Sequence, residues 1–244
     1  MKATLTIARR EFRSYFDSPL AYVVICLGLF LLGIFFFLYH GGFWQVDRAS
    51  LDRLFQYSAT GMSLLVVPVI TMRLLAEEKR TGTLEMLITL PVKDSEVILG
   101  KYLGALGLVF VLIAATALYP ILMFKWPWHL GPLDAGPVLA GYFGLVLYSA
   151  AIVAIGLMIS SFTESQVVAF FITFIVLLIM HELSVIGELA PGRMGELLRV
   201  MSFDQNLMKF SRGLIDTRNV VYFLSIIGMC LVVAFRSLES RKWS

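Results

Sequence analysis

Long apolar stretches alternate with short polar segments along the chain. In an α-helix, about 20 apolar residues cross the roughly 30 Å hydrocarbon core of a bilayer. The pattern therefore predicts an all-α polytopic membrane protein. It places six transmembrane helices at about residues 20–39, 57–75, 97–124, 137–161, 166–186 and 219–235. Because no repeat, low-complexity tract or flexible linker divides them, we expect a single membrane domain over residues 1–244.

Residues 1–18 have the periodicity of an amphipathic helix, which Pro19 separates from the first span. Apolar side chains follow helical spacing at Leu5, Ala8, Phe12, Tyr15 and Phe16. The arginines lie mostly on other faces, as expected for a helix in the membrane interface with its cations near lipid phosphates. The alternative is a frayed basic tail.

The segment before the last span, residues 187–218, is more polar but still periodic. Ser202 and Gln205 have capping-box spacing, and Gly213 suits a helix end. One helical face carries Phe203, Leu207, Phe210 and Leu214. We expect a helix that rests on the outer membrane surface or packs across the mouth of the spans, with Asp204 and Lys209 facing water.

The most polar segment, residues 73–101, lies between the second and third predicted spans. Gly82 suits a helix C-terminus, because glycine adopts the left-handed conformation without a Cβ clash. The following apolar positions predict a short amphipathic helix, Leu84–Leu90, which Pro91 ends. Its apolar face carries Leu84, Leu87 and Ile88.

Side chains with capping chemistry flank this short helix. Thr81 or Thr83 can cap it, and Asp94 or Ser95 can cap the helix that re-enters the membrane. A short amphipathic helix that carries both charge signs between two spans is typical of a docking element. The alternative is an ordinary cytoplasmic loop lying on lipid headgroups.

Proline and glycine mark two of the spans. Pro68 removes a backbone hydrogen bond within the second span and predicts a kink. Gly100 and Gly104, with Gly107 one turn further, have the spacing that lets helices approach closely. The alternative is that glycine is simply common in membrane helices.

Composition agrees with a membrane protein, since 59% of residues are hydrophobic and 15% are charged. The net charge of +3 argues against a nucleic-acid partner. Cys26 and Cys230 lie within apolar spans, where they are expected to be small buried hydrophobic residues and not a disulfide or a metal site.

The chain lacks the sequence patterns of catalysis. A P-loop ending at Lys101 would need glycine at Ser95 and Ser or Thr at Tyr102. No nucleophile and base set is recognisable, and His181-Glu182 is not followed by the second histidine of a metalloprotease motif. We therefore expect no catalytic residues, no metal and no cofactor on this chain.

His181 and Glu182 are the one ionisable pair within a predicted span. Charge in the membrane is costly and often functional. One interpretation places the pair at an outer gate or a subunit contact. The other is that both side chains reach outer water or cap the following loop.

Orientation follows from basic residues near the spans. Four precede the first span, two follow it, and five lie in residues 73–101. This distribution predicts cytoplasmic termini and a cytoplasmic polar segment.

The polar segment resembles the loop between the second and third spans of ABC-2 type transporter permeases. The matching residues are Arg73, Ala76-Glu77-Glu78, Gly82-Thr83-Leu84-Glu85, Leu87, Pro91 and Gly100-Lys101. The resemblance implies that Leu84–Leu90 is the coupling helix, which sits in a cleft of a separate ABC ATPase subunit that binds Mg-ATP. The implied ATPase-docking residues are Glu77, Glu78, Gly82, Thr83, Leu84, Glu85, Leu87 and Pro91.

The C-terminal part narrows the resemblance. Three segments resemble the gliding-motility-type branch of ABC-2 permeases: residues 210–218, 222–225 and 241–243. This branch is itself similar to permeases encoded beside copper-enzyme maturation systems. The family implies a bacterial or archaeal inner membrane and a second permease half, identical or not. A periplasmic auxiliary subunit is a further expected partner.

Three functions remain open. The first is a permease subunit for export or mechanotransmission, whose nearly charge-free spans suit a lipid-like or polymeric substrate or mechanical work on a partner. The alternative is a membrane anchor for a periplasmic or motility complex that transports nothing. The third is an intramembrane enzyme, for which this sequence offers no recognisable set of catalytic residues.

Overall fold

The computed structural model describes residues 2–38, 51–83, 93–124 and 135–239, and within these ranges the regular structure is helical, with no strand. The predicted coupling helix Leu84–Leu90, Pro91 and the residues after Glu239 lie outside the described residues. The all-α prediction is confirmed for the described part of the chain.

Five helices among the described residues are long and apolar enough to cross a membrane. They are Asp52–Thr81, Asp94–Leu122, Ala135–Ser160, Gln166–Leu189 and Thr217–Glu239, and below they are the second to sixth span helices. A sixth candidate consists of Lys2–Asp17, the N-terminal helix, and Pro19–Phe37, the first span helix. These two helices meet at an angle of 74°. The predicted break at Pro19 is confirmed.

The second span helix changes its winding just before Pro68. It comprises Asp52–Gly61, a π-helical turn over Met62–Val66, and Val67–Thr71. A turn at residues 72–75 then leads into Ala76–Thr81. Proline cannot donate to the preceding turn, and a π-turn is one way for a helix to accommodate the missing bond. The structure thus shows a π-turn just before Pro68, and the predicted kink stays a prediction.

The N-cap residue of the third span helix lies one position before the two predicted candidates, Asp94 and Ser95. Lys93 is the N-cap, and its backbone N–H donates to Glu96 Oε2 at 3.4 Å. The prediction that Asp94 or Ser95 caps this helix was wrong, because the Glu96 carboxylate reaches back to the preceding residue instead. Asp94–Thr116 continues as Leu118–Phe124 after a break. Pro120 explains the break, since its ring clashes with the carbonyl of Thr116.

The fourth span helix, Ala135–Ser160, lies at the centre of the bundle. Leu145, Tyr148 and Ala151 are fully buried, as expected for a helix that is apolar on all sides. Close approach of its neighbours depends on glycine: a Cβ on Gly141 would lie 2.2 Å from the ring of Phe55. By contrast, the fifth and sixth span helices expose broad apolar faces.

Two short helices, Arg193–Met201 and Phe203–Ser211, connect the fifth and sixth span helices. The second of them, the crossing helix, packs on the second, fourth and fifth span helices, which agrees with a position across the ends of the spans, one of the two predicted placements. Gln205 N donates to Ser202 Oγ at 3.5 Å, and Gly213 has φ of 82° just after the helix end. The predicted start and end of this helix are therefore confirmed.

The apolar face of the crossing helix is confirmed at Phe203, Leu207 and Phe210, which are buried. Leu214 lies beyond the helix end and is exposed. The prediction that Asp204 faces water was wrong. Its side chain is 13% exposed and is directed at His181, a partner on another helix that the periodicity of this segment cannot reveal.

Candidate functional site

The glycine series of the third span helix is the packing surface for the N-terminal helix. A Cβ on Gly100 would lie 2.7 Å from the Cβ of Ile7, and one on Gly104 would lie 2.6 Å from the Cβ of Glu11. This contact is the most extensive between any two described helices. The spacing predicted close helix approach, and the structure identifies the N-terminal helix as the partner.

Lys101 lies beside this contact and is bound by two carboxylates. Its Nζ is 3.1 Å from Glu11 Oε1 on the N-terminal helix and 2.7 Å from Glu78 Oε1 on Ala76–Thr81. The Lys101 side chain is only 3% exposed. Because a buried ammonium without counter-charges would be strongly unfavourable, these two contacts hold the three helices together. We call Lys101, Glu11 and Glu78 the ionic junction.

The fourth span helix fixes the start of Ala76–Thr81. Ser160 Oγ accepts from the backbone N–H groups of Leu75 and Ala76, each at 3.1 Å. It therefore satisfies donors that are free at a helix N-terminus, where Leu75 supplies no side-chain cap of its own. Lys79 Nζ donates to the Ser161 carbonyl, which also accepts from Ser237 Oγ of the sixth span helix. Ala76–Thr81, within the polar segment, is thus linked to the fourth and sixth span helices.

The predicted docking residues Glu77 and Glu78 have different environments. Glu77 forms a partly exposed ion pair with Arg73, with Nε and Oε2 2.9 Å apart. The Glu78 side chain is 16% exposed and faces Lys101. Two neighbouring carboxylates of one short helix therefore point to different surroundings, and Glu78 belongs to the ionic junction.

Gly82 and Thr83 lie at the exposed end of this helix. Gly82 is its C-cap with φ of 70°, as predicted. The hydroxyls of Thr81 and Thr83 donate to the carbonyl oxygens of Glu77 and Glu78, so both close the preceding helix. The remaining predicted docking residues, Leu84, Glu85, Leu87 and Pro91, lie outside the described residues. The docking role of the whole set stays a prediction.

His181 joins three elements at the other end of the bundle. Its Nδ1 is 2.9 Å from Asp204 Oδ1 on the crossing helix, and its Nε2 is 3.3 Å from Thr60 Oγ1 on the second span helix. The Thr60 hydroxyl donates to the Gln56 carbonyl at 3.0 Å, so its oxygen is left to accept from Nε2. Glu182 is partly buried, and the gate or subunit-contact role of the pair stays a prediction.

Sequence reasoning missed the ionic junction. Lys101 was grouped with the polar segment, although it follows the predicted start of the third span. An ionisable residue within a span next to a glycine was the available signal, because such a charge needs a partner brought close by tight packing. Its partners, Glu11 and Glu78, could not be read from local periodicity.

Comparison with known proteins agrees with this architecture. The model of the ABC-2 family transporter protein family matches residues 53–187, more than half of the chain. The chain belongs to the ABC-2 transporter family. Its resemblance to the gliding-motility-type or copper-enzyme-maturation-type branch stays a prediction.

Two curated relatives come from Escherichia coli, strains K12 and O157:H7, and both are named "Probable multidrug ABC transporter permease YbhR". Each is 31% identical to this ABC-2 protein over 109 residues, which is 45% of this chain and 28% of the relative. The match therefore spans less than a third of the relatives' length.

Proposed function

We propose that this protein is the membrane-spanning permease subunit of an ABC-2 type ATP-driven transporter, acting in export or mechanotransmission. A separate ABC ATPase binds Mg-ATP and drives the membrane helices through the coupling helix Leu84–Leu90. This chain itself contributes no catalytic residue. Family membership and the likeness to proteins named as multidrug permeases support a transport role.

The observation that carries the proposal is the ionic junction. The segment between Thr83 and Lys93 connects Ala76–Thr81 to the third span helix, and Glu78 and Lys101 join these two helices directly. A force applied to the segment therefore acts on the second and third span helices together. Through Glu11 it also acts on the N-terminal helix.

The anchoring of Ala76–Thr81 supports the same mechanism. A freely hanging cytoplasmic loop would absorb a push from a partner by bending. Here Ser160, the last residue of the fourth span helix, binds the backbone at the start of Ala76–Thr81, and the carbonyl of the next residue, Ser161, binds Lys79. In this proposal Leu84, Glu85 and Leu87 contact the ATPase, and the partly exposed Glu77 contributes a further polar contact.

The proposal includes the remaining parts of the assembly. A single membrane domain over residues 1–244 pairs with a second permease half in the inner membrane of a bacterial or archaeal cell, with both termini cytoplasmic. Broad exposed apolar faces on the fifth and sixth span helices suit lipid and a subunit contact. A periplasmic auxiliary subunit is a further partner that the proposal allows.

The test is affinity purification of the tagged chain from native membranes, followed by mass spectrometry and an ATPase assay. The proposal predicts a stoichiometric subunit with Walker motifs and ATP hydrolysis in the purified material. A complex that contains only periplasmic or motility proteins would support the membrane-anchor alternative instead.

A further inference from the structure

A pocket of about 400 Å³ lies between the first and second span helices, and the third span helix contributes Leu112 and Thr116 to its lining. Its wall is mostly aliphatic and aromatic. Residues from all three helices contribute, among them Gly28, Leu32, Phe35, Leu65, Val66 and Leu112. The volume is at the lower end of the range for small-molecule sites, which are typically apolar with a few polar groups.

The pocket coincides with the irregular part of the second span helix. The π-turn over Met62–Val66 supplies several of its lining residues. A π-turn carries an extra residue per turn and recurs at functional sites in otherwise regular helices. The local winding that accommodates Pro68 therefore also shapes this side of the pocket.

One buried polar group on the pocket wall has no partner. The Ser58 hydroxyl has no hydrogen-bond partner within the described chain, although the residue is only 4% exposed. Ser58 is one of the residues that line the pocket. Thr60 nearby is already engaged with the Gln56 carbonyl and His181. A buried hydroxyl without a partner is unfavourable, so a bound polar group would stabilise it.

Among the described residues, none of those that line the pocket carries a formal charge at neutral pH. A carboxylate or an ammonium group buried there would lose its hydration without gaining a counter-ion, whereas a hydroxyl or ester would lose far less. The chemistry therefore favours an uncharged head with hydrogen-bonding capacity, joined to an apolar chain.

We propose that this pocket binds an uncharged single-chain amphiphile of the monoacylglycerol type. Its chain lies along Leu32, Leu65 and Leu112, and its head meets Ser58 and Gln56. The inference goes beyond the proposed function, because it concerns binding by this chain and requires no ATPase.

Equilibrium binding of radiolabelled monooleoylglycerol to the full chain in phosphatidylcholine nanodiscs tests the proposal. A Cβ on Gly61, which lines the pocket, meets nothing within 4 Å, so Gly61→Phe places a ring in the pocket without a backbone clash. Gly228, in the sixth span helix and outside the pocket, has the same open surroundings and gives the matched control Gly228→Phe. Gel filtration confirms that each variant is folded, and Leu65→Trp is a second way to fill the pocket.

We expect saturable binding that weakens at least tenfold in Gly61→Phe and Leu65→Trp, about fivefold in Ser58→Ala, and not at all in Gly228→Phe. Oleate and dodecylamine should compete poorly, because their heads are charged. Equal binding by Gly61→Phe and Gly228→Phe would overturn the site, and equal competition by oleate would overturn the uncharged-head assignment. If Gly61→Phe changes only the oligomeric state, the pocket belongs to a subunit interface and the proposal is wrong.

Discussion

Lys101 Nζ and Glu78 Oε1 lie 2.7 Å apart, although Lys101 belongs to the third span helix and Glu78 belongs to Ala76–Thr81, on the other side of the segment between Thr83 and Lys93. Lys101 is also shared with Glu11 of the N-terminal helix. Two carboxylates and one ammonium share a site that is almost closed to water, so the energetic cost of burying each charge depends on the other two. The ionic junction is therefore expected to respond to substitution as a unit.

Lys101→Met should destabilise the folded bundle, because it leaves two carboxylates facing each other without their cation. Removing one partner of a buried ion pair commonly costs on the order of 3 kcal/mol. Thermal unfolding in detergent, followed by circular dichroism, measures the change.

The control is Lys101→Met in a Glu11→Gln/Glu78→Gln background. Neutral amides no longer need the ammonium, so the same substitution should cost much less there. If the effects of the three substitutions simply add, the junction does not act as a unit.

Gly104→Ala should destabilise the contact between the N-terminal and third span helices, since its Cβ would lie 2.6 Å from the Cβ of Glu11. Overpacking of this kind costs roughly 1–3 kcal/mol. Gly228→Ala is the matched helical control, because nothing lies within 4 Å of its Cβ. Unfolding midpoints measured side by side should fall for the first and stay or rise for the second. A stabilised Gly104→Ala would show that the helices do not pack as described.

His181→Ala and Asp204→Ala should each loosen the crossing helix, because each leaves a mostly buried partner unpaired. A double-mutant cycle should give a coupling energy of about 1–3 kcal/mol, as for residues in direct contact. The readout is the unfolding midpoint, together with proteolysis between residues 190 and 216. Additive effects would argue against the His181–Asp204 contact.

Topology gives an independent prediction. In a background without native cysteines, a cysteine at Ser95 or Ser244 should react with an impermeant thiol reagent only after the membrane is permeabilised and the reagent reaches the cytoplasmic side. One at Gly131 should react in intact cells. The reason is the excess of basic residues on the segments assigned to the cytoplasm. Labelling of Ser95→Cys from outside would contradict a cytoplasmic polar segment.

Sequence reasoning located the elements that the local sequence determines. Span positions follow from hydropathy, and the helix ends at Gly82 and Gly213 follow from backbone freedom at glycine. Burial of Phe203, Leu207 and Phe210 follows from periodicity.

Local patterns could not identify partners that come from distant parts of the chain. Asp204 reads as a solvent-facing charge on its own helix, and only the position of His181 turns it inward. Likewise, the local sequence assigns Lys101 to the edge of the polar segment. In the structure the N-terminal helix packs on Gly100 and Gly104 and brings Glu11 beside Lys101. Long-range packing, which periodicity does not encode, decides both ion pairs.

The most direct test of the central claim combines co-purification of the ATPase with its activity in the reconstituted complex. Glu85→Lys and Leu87→Asp are compared with wild type and with Glu164→Lys, a matched charge reversal in the turn between the fourth and fifth span helices. Leu87→Asp places a carboxylate in an apolar groove, and a penalty of about 3 kcal/mol weakens association roughly a hundredfold.

The account predicts that both variants insert and fold normally but lose the ATPase and its coupled activity, whereas Glu164→Lys keeps both. If Leu87→Asp retains the full complex and the wild-type coupled rate, the segment Leu84–Leu90 does not dock the ATPase and the central claim is contradicted.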